Sequence, residues 1–238
     1  MRDLQDAEDS AAPPAGPPRP PATMEADLRV LVATVRDGHL RALLDRVLGE
    51  HTASWASYRR APAAKHYHHA YVHGLLEHCL TVAQGVGALA ATFPGLNRDV
   101  AVTGALLHDI GKLEAYTVGP GPIDLTDAGR LHGEIALGYY RVRREIEAIP
   151  GFPPETAQAV LHIILSHHGS LAHGSPVVPA TREATLVHMV DNLGGRLGSF
   201  DRLERALPAG ERWTPFDRGI GTSAYFGPAV PPEQREAA

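Results

Sequence analysis

From Leu28 onward apolar side chains return every three or four residues, and that spacing commits most of the chain to helices with one buried face. Leu28, Leu31, Val32 and Val35 form one stripe, and Leu40, Leu43, Leu44, Val47 and Leu48 a second, so two short helices are predicted between residues 25 and 48. Further helical patterns cover residues 73–92, 97–110, 131–149, 154–167 and 181–206, separated by loops that carry Pro and Gly. No segment alternates as a run of strands would. The expected fold class is therefore all-α, a helical bundle. One candidate for extended structure is residues 116–131, where Gly119-Pro120-Gly121-Pro122 would turn a short hairpin.

The 238 residues suit one core with some length to spare. Residues 1–23 hold six prolines and five alanines and almost no large apolar side chain. Such a composition cannot offset the entropy of ordering, so a disordered leader is expected there, with the folded domain over residues 24–207. Residues 208–238 lose the periodicity and read as an irregular C-terminal extension. Lys plus Arg is 22 against 27 for Asp plus Glu, and the formal charge of −5 gives no global attraction for polyanions. Any contact with nucleic acid has to be local. No stretch resembles a membrane span or a secretory signal, and the expectation is a cytoplasmic protein without a membrane partner.

Fourteen histidines and the single Cys79 are the unusual counts. One cysteine permits neither an internal disulfide nor a thiolate-rich zinc site, so a metal here would be held by imidazole and carboxylate. The polar residues that could do so lie within or at the ends of apolar helices. His78 sits on the stripe Leu75, His78, Val82, Val86, Leu89, and His108-Asp109 follows Ala105-Leu106-Leu107. Adjacent side chains on a helix point about 100° apart, so His108 and Asp109 can share one ion only beyond the helix end, and Gly111 supplies such an end. Lys112 lies on the same side, placed to pair with a phosphate or simply to close the helix. His132 stands three residues before Ile135 of the stripe Ile135, Tyr139, Val142, Ile146, and His167-His168 ends the helix of Val160, Leu161, Ile164 and Leu165. Asp191 is an acid on the apolar side of the last long helix, a costly position unless a metal or a base accompanies it. A lone histidine on an apolar face is usually a satisfied core residue. Six such placements argue for a site.

Three or four such ligands hold a divalent ion and leave a position for water, whose pKa the ion lowers from about 15.7 toward 7. A carboxylate shared by two ions, with Asp109 the candidate, would set them about 3.5–4 Å apart. Manganese, iron or another first-row ion suits this donor set better than a structural zinc. His66, His68 and His69 with Arg59, Arg60 and Lys65 make the densest local positive region, suited to a single strand or to a loop packed on the domain.

The ordered series His78, His108-Asp109, His132, His167-His168, Asp191 resembles the HD-domain superfamily of metal-dependent phosphohydrolases, over about residues 25–225. Within it the chain looks most like the HD domain of YhaM-type 3′ to 5′ exoribonucleases. The stretches that carry the likeness are Pro62-Ala63-Ala64, His68-His69-Ala70-Tyr71, Gly74-Leu75-Leu76-Glu77-His78 and Leu107-His108-Asp109-Ile110-Gly111-Lys112. Further on come Leu131-His132-Gly133-Glu134-Ile135, Leu165-Ser166-His167-His168-Gly169, Gly174-Ser175-Pro176, His188-Met189-Val190-Asp191-Asn192-Leu193 and Trp213-Thr214. The resemblance implies that His78, His108, Asp109 and Asp191 hold one ion, and that His132, His167 and His168 complete a second site around a bridging Asp109. It also implies that Lys112 meets the substrate phosphate or the attacking water, that His69 and Ser175 line the substrate site, and that the substrate is a nucleotide or short single-stranded RNA. YhaM-type enzymes carry an OB-fold before this domain, whereas a Pro/Ala leader precedes the helices here. Gly194-Gly195 follows Asp-Asn-Leu where the family often has another acid. Ile110-Gly111 after His108-Asp109 is unlike guanosine tetraphosphate hydrolases, and the absence of a GYP motif after His168 is unlike cyclic di-GMP phosphodiesterases. The same donors could serve a di-iron oxygenase, or a nucleotide-binding module that does no chemistry.

Overall fold

Short polar side chains start several of the helices. Asp37 accepts from the backbone N–H groups of His39 and Leu40, Thr52 from Trp55, Asn97 from Val100 and Thr126 from Gly129, each cap contributing about 1 kcal/mol. The computed structural model describes residues 16–65, 69–117 and 122–227. It contains helices α1 (Pro21–Ala33), α2 (Gly38–Leu48), α3 (Ala53–Tyr58), α4 (Gly74–Ala90), α5 (Arg98–Leu107) and α6 (Lys112–Ala115). After these come α7 (Asp127–Glu147), α8 (Pro154–Ser166), a 3₁₀ turn Leu171–His173, α9 (Arg182–Ala206) and strands β1 (Trp213–Asp217) and β2 (Thr222–Tyr225). Among the described residues no helix is long and apolar enough to cross a membrane.

The chain divides into two compact units, Met1–Asp191 and Asn192–Ala238. The first is the helical bundle, with a core that includes Leu43, Leu44, Leu75, Leu76, Leu80, Leu106, Leu107, Val160 and Ile164. Burying each of these side chains is worth about 1.5–3 kcal/mol, so the apolar stripes read from the sequence supply the folding force. The second unit joins the end of α9 to the antiparallel pair β1–β2 around Leu203, Ile220 and Ala224. Arg202 pairs with Asp217 there at 2.6 Å.

Three glycines set how closely the helices of the first unit approach. A Cβ on Gly104 of α5 would lie 2.3 Å from Ile163 of α8, and one on Gly85 of α4 would lie 2.9 Å from Val190 of α9. A Cβ on Gly111, just before α6, would lie 1.9 Å from the backbone oxygen of Glu134 in α7. Gly133 matters for another reason. Its φ of 73° and ψ of 153° put a kink inside α7, in a region of backbone space open almost only to glycine.

Three expectations need correction. Of the leader expected over residues 1–23, residues 1–15 lie outside the described residues and residues 21–23 are helical, because α1 begins at Pro21, and proline is well suited to a first helical position. The paired segment after α6 is shorter than residues 116–131: Tyr116 bridges Leu125, Thr117 donates to Asp124 at 2.8 Å, and α7 starts at Asp127. The turn at residues 118–121 lies outside the described residues. Residues 208–238 are not irregular throughout, since they contain β1 and β2. Helix α3 was not anticipated.

Gly111→Ala is expected to cost about 3 kcal/mol or more of unfolding free energy, because its Cβ would meet backbone that cannot rotate away. Gly138→Ala, whose Cβ would sit 3.1 Å from the Gly111 nitrogen, is expected to stay within about 1 kcal/mol of the parent. Urea unfolding midpoints measure both. A loss within about 1 kcal/mol for Gly111→Ala would mean that the α6–α7 approach is not the constraint.

Candidate metal centre

The approaches set by the glycines bring side chains together at one place in the first unit. His108 caps the C-terminal end of α5 and His167 that of α8. Where Gly104 lets those helices close up, the two rings stand 4.9 Å apart. His78 is a turn into α4 and Asp191 is the last residue of the first unit, and Gly85 lets α4 and α9 meet so that His78 Nε2 lies 3.2 Å from Asp191 Oδ1. Asp109 follows His108 into the centre and is only 2% exposed.

Two groups of imidazole and carboxylate donors result, each drawn together within 4.8 Å: His78, His108 and Asp191, and Glu134, His167 and His168; a third group within the same distance joins the Cys79 thiol to His108 and Asp109. In the first, the Nε2 atoms of His78 and His108 are 3.2 Å apart, and His108 Nε2 is 3.8 Å from Asp191 Oδ1. In the second, His168 Nε2 is 3.3 Å from Glu134 Oε1. Asp109 stands between them. Its Oδ2 is 3.2 Å from His78 Nε2 and 3.4 Å from His108 Nε2, while its Oδ1 is 3.5 Å from His167 Nε2. Donors that share an ion at about 2.0–2.2 Å lie roughly 3–4 Å from one another, so these spacings suit divalent ions. Asp109 Oδ1 and His167 Nε2 are also buried without a hydrogen-bond partner among the described residues. Buried polar atoms are nearly always satisfied, and an ion between these two would satisfy both.

Backbone carbonyls fix which ring nitrogen faces the centre. The Nδ1 atoms of His108, His167 and His168 lie 2.7, 2.8 and 2.9 Å from the oxygens of Ala105, Ile164 and His173. A carbonyl only accepts, so each Nδ1 carries the hydrogen and each Nε2 is left with its lone pair turned inward. His188 donates likewise from Nδ1 to the His167 oxygen at 2.8 Å, bracing the turn that carries His167 and His168.

The electrostatics follow from burying Asp109. Burial alone would raise its pKa, but the Lys112 ammonium, with His108 and His167, holds the carboxyl well below the usual range. Lys112 Nζ donates to Asp109 Oδ2 at 2.6 Å. Burial opposes charge on Lys112 too, and the Asp109 carboxylate nevertheless keeps its pKa above the ordinary lysine value. For His78, burial lowers the pKa while Asp109 and Asp191 raise it, and the acids prevail, giving about 9. The same contest holds Asp191 low and His167 high. Burial pushes the His168 pKa down, with His167 adding to the effect.

The HD domain model matches residues 75–195. The chain belongs to the HD-domain family. Among curated proteins it is similar to the 3′-5′ exoribonuclease YhaM of Bacillus subtilis strain 168, 31% identical over 192 residues, which are 80% of this chain and 60% of that protein. It is 35% identical over 148 residues to the YhaM of Geobacillus sp. strain WCH70, covering 62% of this chain and 45% of that one. The YhaM of Halalkalibacterium halodurans is 30% identical over 194 residues, covering 80% and 58%. The chain thus spans about 60% or less of the length of these relatives. No solved structure matches it.

Within this HD domain the structure brings His78, His108, Asp109, His167, His168, Asp191 and Lys112 together. It does not bring His132, which is exposed and belongs to neither donor group. Glu134, one residue beyond the Gly133 kink, stands at the second group instead. His69 lies beside the centre, its ring 5.6 Å from that of His78. Ser175 is buried, and its hydroxyl has no hydrogen-bond partner among the described residues. His66 and His68 lie outside the described residues. Of the neighbouring cations, Lys65 pairs with Asp124 at 3.1 Å and Arg59 with Glu25 at 3.0 Å. Two acids went unread in the sequence, Glu134 and Glu77. Glu77 is buried beside His78 and accepts from the Tyr71 hydroxyl. Its signal was a carboxylate inside the apolar run 74–80.

The raised pKa of His78 makes metal-free stability depend on pH. Its folded value, about 9, exceeds its ordinary 6.5, so its contribution is full below pH 6.5 and is lost as the pH rises through 9. Chelator-treated protein should therefore melt at a lower temperature at pH 9 than at pH 6.5. Saturating manganese should reverse the trend, because only neutral imidazoles ligate. Thermal unfolding at both pH values, with and without metal, measures this, and a metal-free melting point that rises toward pH 9 would contradict the charge balance.

Proposed function

We propose that this HD domain is a metal-dependent phosphohydrolase that cleaves phosphoester bonds of nucleotides or short single-stranded RNA, and in its specific form a YhaM-like 3′ to 5′ exoribonuclease. One observation carries the reading: Asp109 turns one oxygen toward His78 and His108 and the other toward His167, as a carboxylate bridging two ions would. The comparisons support the substrate class, since the relatives named above are 3′-5′ exoribonucleases.

In this reading His78, His108, Asp109 and Asp191 hold one ion and Asp109, Glu134, His167 and His168 the other, with manganese or iron favoured by the imidazole and oxygen donors. A bound pair of this kind supplies a water of lowered pKa and stabilises the attacking and leaving oxygens of an in-line displacement. The chain's own residues do the rest. Ala105, Ile164 and His173 hold the ligand rings in orientation through their oxygens. Lys112, 15% exposed at its side chain, is the cation next to the centre that can reach a substrate phosphate and offset charge on its oxygens. His168 and Glu134, at 33% and 17%, form the side of the centre that solvent and substrate reach, whereas His108 and His167 are almost wholly enclosed.

Elemental analysis together with hydrolysis of a short 5′-labelled RNA in manganese tests the reading. Two ions per chain and stepwise shortening from the 3′ end are expected. Asp109→Ala should lose both metal and turnover, and retained turnover in that variant would overturn the mechanism. Lys112→Ala should keep its metal and lose about 100-fold or more in kcat. Glu134→Ala should lose the second ion while His132→Ala keeps both, and the opposite result would return the second site to His132.

A further inference from the structure

Beside the metal centre lies a cleft of ≈ 300 Å³ with walls of two kinds. Lys112, Glu134 and His168 make a charged wall, and Ala63, Ala64, Tyr116 and Leu125 make a small and apolar one. We propose that this cleft seats the nucleobase of the nucleotide whose phosphate lies at the metal centre, and that Tyr116 is the face on which the base stacks. The proposal deepens the phosphohydrolase reading and rests on it.

Tyr116 is held in a way that fits this role. Its own N–H donates to the Lys112 oxygen at 3.1 Å, which ties its backbone one helical turn after Lys112. On the other side its backbone bridges Leu125, Thr117 N–H donates to Asp124 at 2.8 Å, and Thr126 N–H donates to Ala115 at 2.9 Å. The backbone is fixed from both sides, and Tyr116 itself is half-buried and lines the cleft.

A Cβ on Gly129 would lie 2.3 Å from the Ala115 oxygen, so α7 packs directly on the backbone of the residue before Tyr116 and fixes that wall of the cleft. A planar aromatic ligand bearing an anion matches an aromatic face at one end and an ammonium at the other. Small-molecule pockets run from about 300 to 1,000 Å³, so this cleft takes one nucleotide and not a stacked pair. Stacking accepts any base, because every base has a π-face. The larger cavity of ≈ 700 Å³, lined by Glu25, Glu50, Trp55 and Arg59 among others, contains none of the metal-centre residues, and its Arg59 is already paired with Glu25.

Calorimetric titration of manganese-loaded protein with AMP, CMP, GMP, UMP and ribose 5-phosphate tests the proposal without turnover. The four nucleotides should bind within a few-fold of one another and about tenfold tighter than ribose 5-phosphate. Tyr116→Ala should remove that advantage and leave ribose 5-phosphate binding unchanged, which also reports an intact fold, while Tyr116→Trp should keep the advantage. Equal binding of AMP and ribose 5-phosphate to the parent, or an advantage that survives in Tyr116→Ala, would overturn the base site alone. No binding of either ligand would overturn the metal-centre reading and this proposal with it.

Discussion

An ionised carboxylate that is 2% exposed in an apolar bundle has to be matched by positive charge or by metal, and the first unit is arranged around meeting that requirement at Asp109. Moving one ion out of water costs several kcal/mol even after a protein relaxes around it. Lys112 at 2.6 Å and the imidazoles of His78, His108 and His167 at 3.2–3.5 Å recover part of that cost. The imidazoles are buried and Lys112 is largely enclosed, so none is free energetically. Lys112 and His78 stay charged only because the acids outweigh their burial. Removing any one charge leaves the others uncompensated, which is why such a cluster is poor economy for stability and makes sense as a site.

Distances of this kind cannot be met by long side chains reaching across a gap, because an imidazole is short. The backbones have to come close, and the three glycine contacts are where they do. Gly104 against Ile163 joins the two helix ends that carry His108 and His167, Gly85 against Val190 joins α4 to α9, and Gly111 against Glu134 brings α7 to the turn after Asp109. Helix ends suit the task for a second reason. The last carbonyls of a helix lack intrahelical partners, so the oxygens of Ala105 and Ile164 are available to hold the ligand rings.

The helices were legible because burial on one face writes a 3.6-residue period into the sequence, and α4, α5, α7, α8 and α9 fall close to where that period put them. What escaped was whatever breaks the period. Counting back three from Ile135 gave His132, and that count assumes an unbroken helix. Gly133 breaks it, so the phase valid after the kink is that of Gly138 and Val142, to which Glu134 and not His132 belongs. Strand β1 contains Pro215 and only five residues, and α3 only six, lengths at which neither a two- nor a 3.6-residue repeat can declare itself. The pairing of Asp109 with donors from four other elements was legible only from their order along the chain. No local pattern could tell that helices far apart in sequence end at one point.

Lys112 has two possible partners in this arrangement, and their competition links the state of the centre to the cleft. Without an ion its ammonium is the nearest full cation to Asp109 Oδ2, and the carboxylate holds it at 2.6 Å. A divalent ion held by Asp109 would neutralise the same charge, and the hold on Lys112 would then weaken. The side chain then has every electrostatic reason to turn toward an anion in the cleft it already lines beside His168 and Glu134. In the proposed reading, filling the centre and freeing Lys112 for a phosphate would be one event, because a single carboxylate cannot satisfy two cations equally.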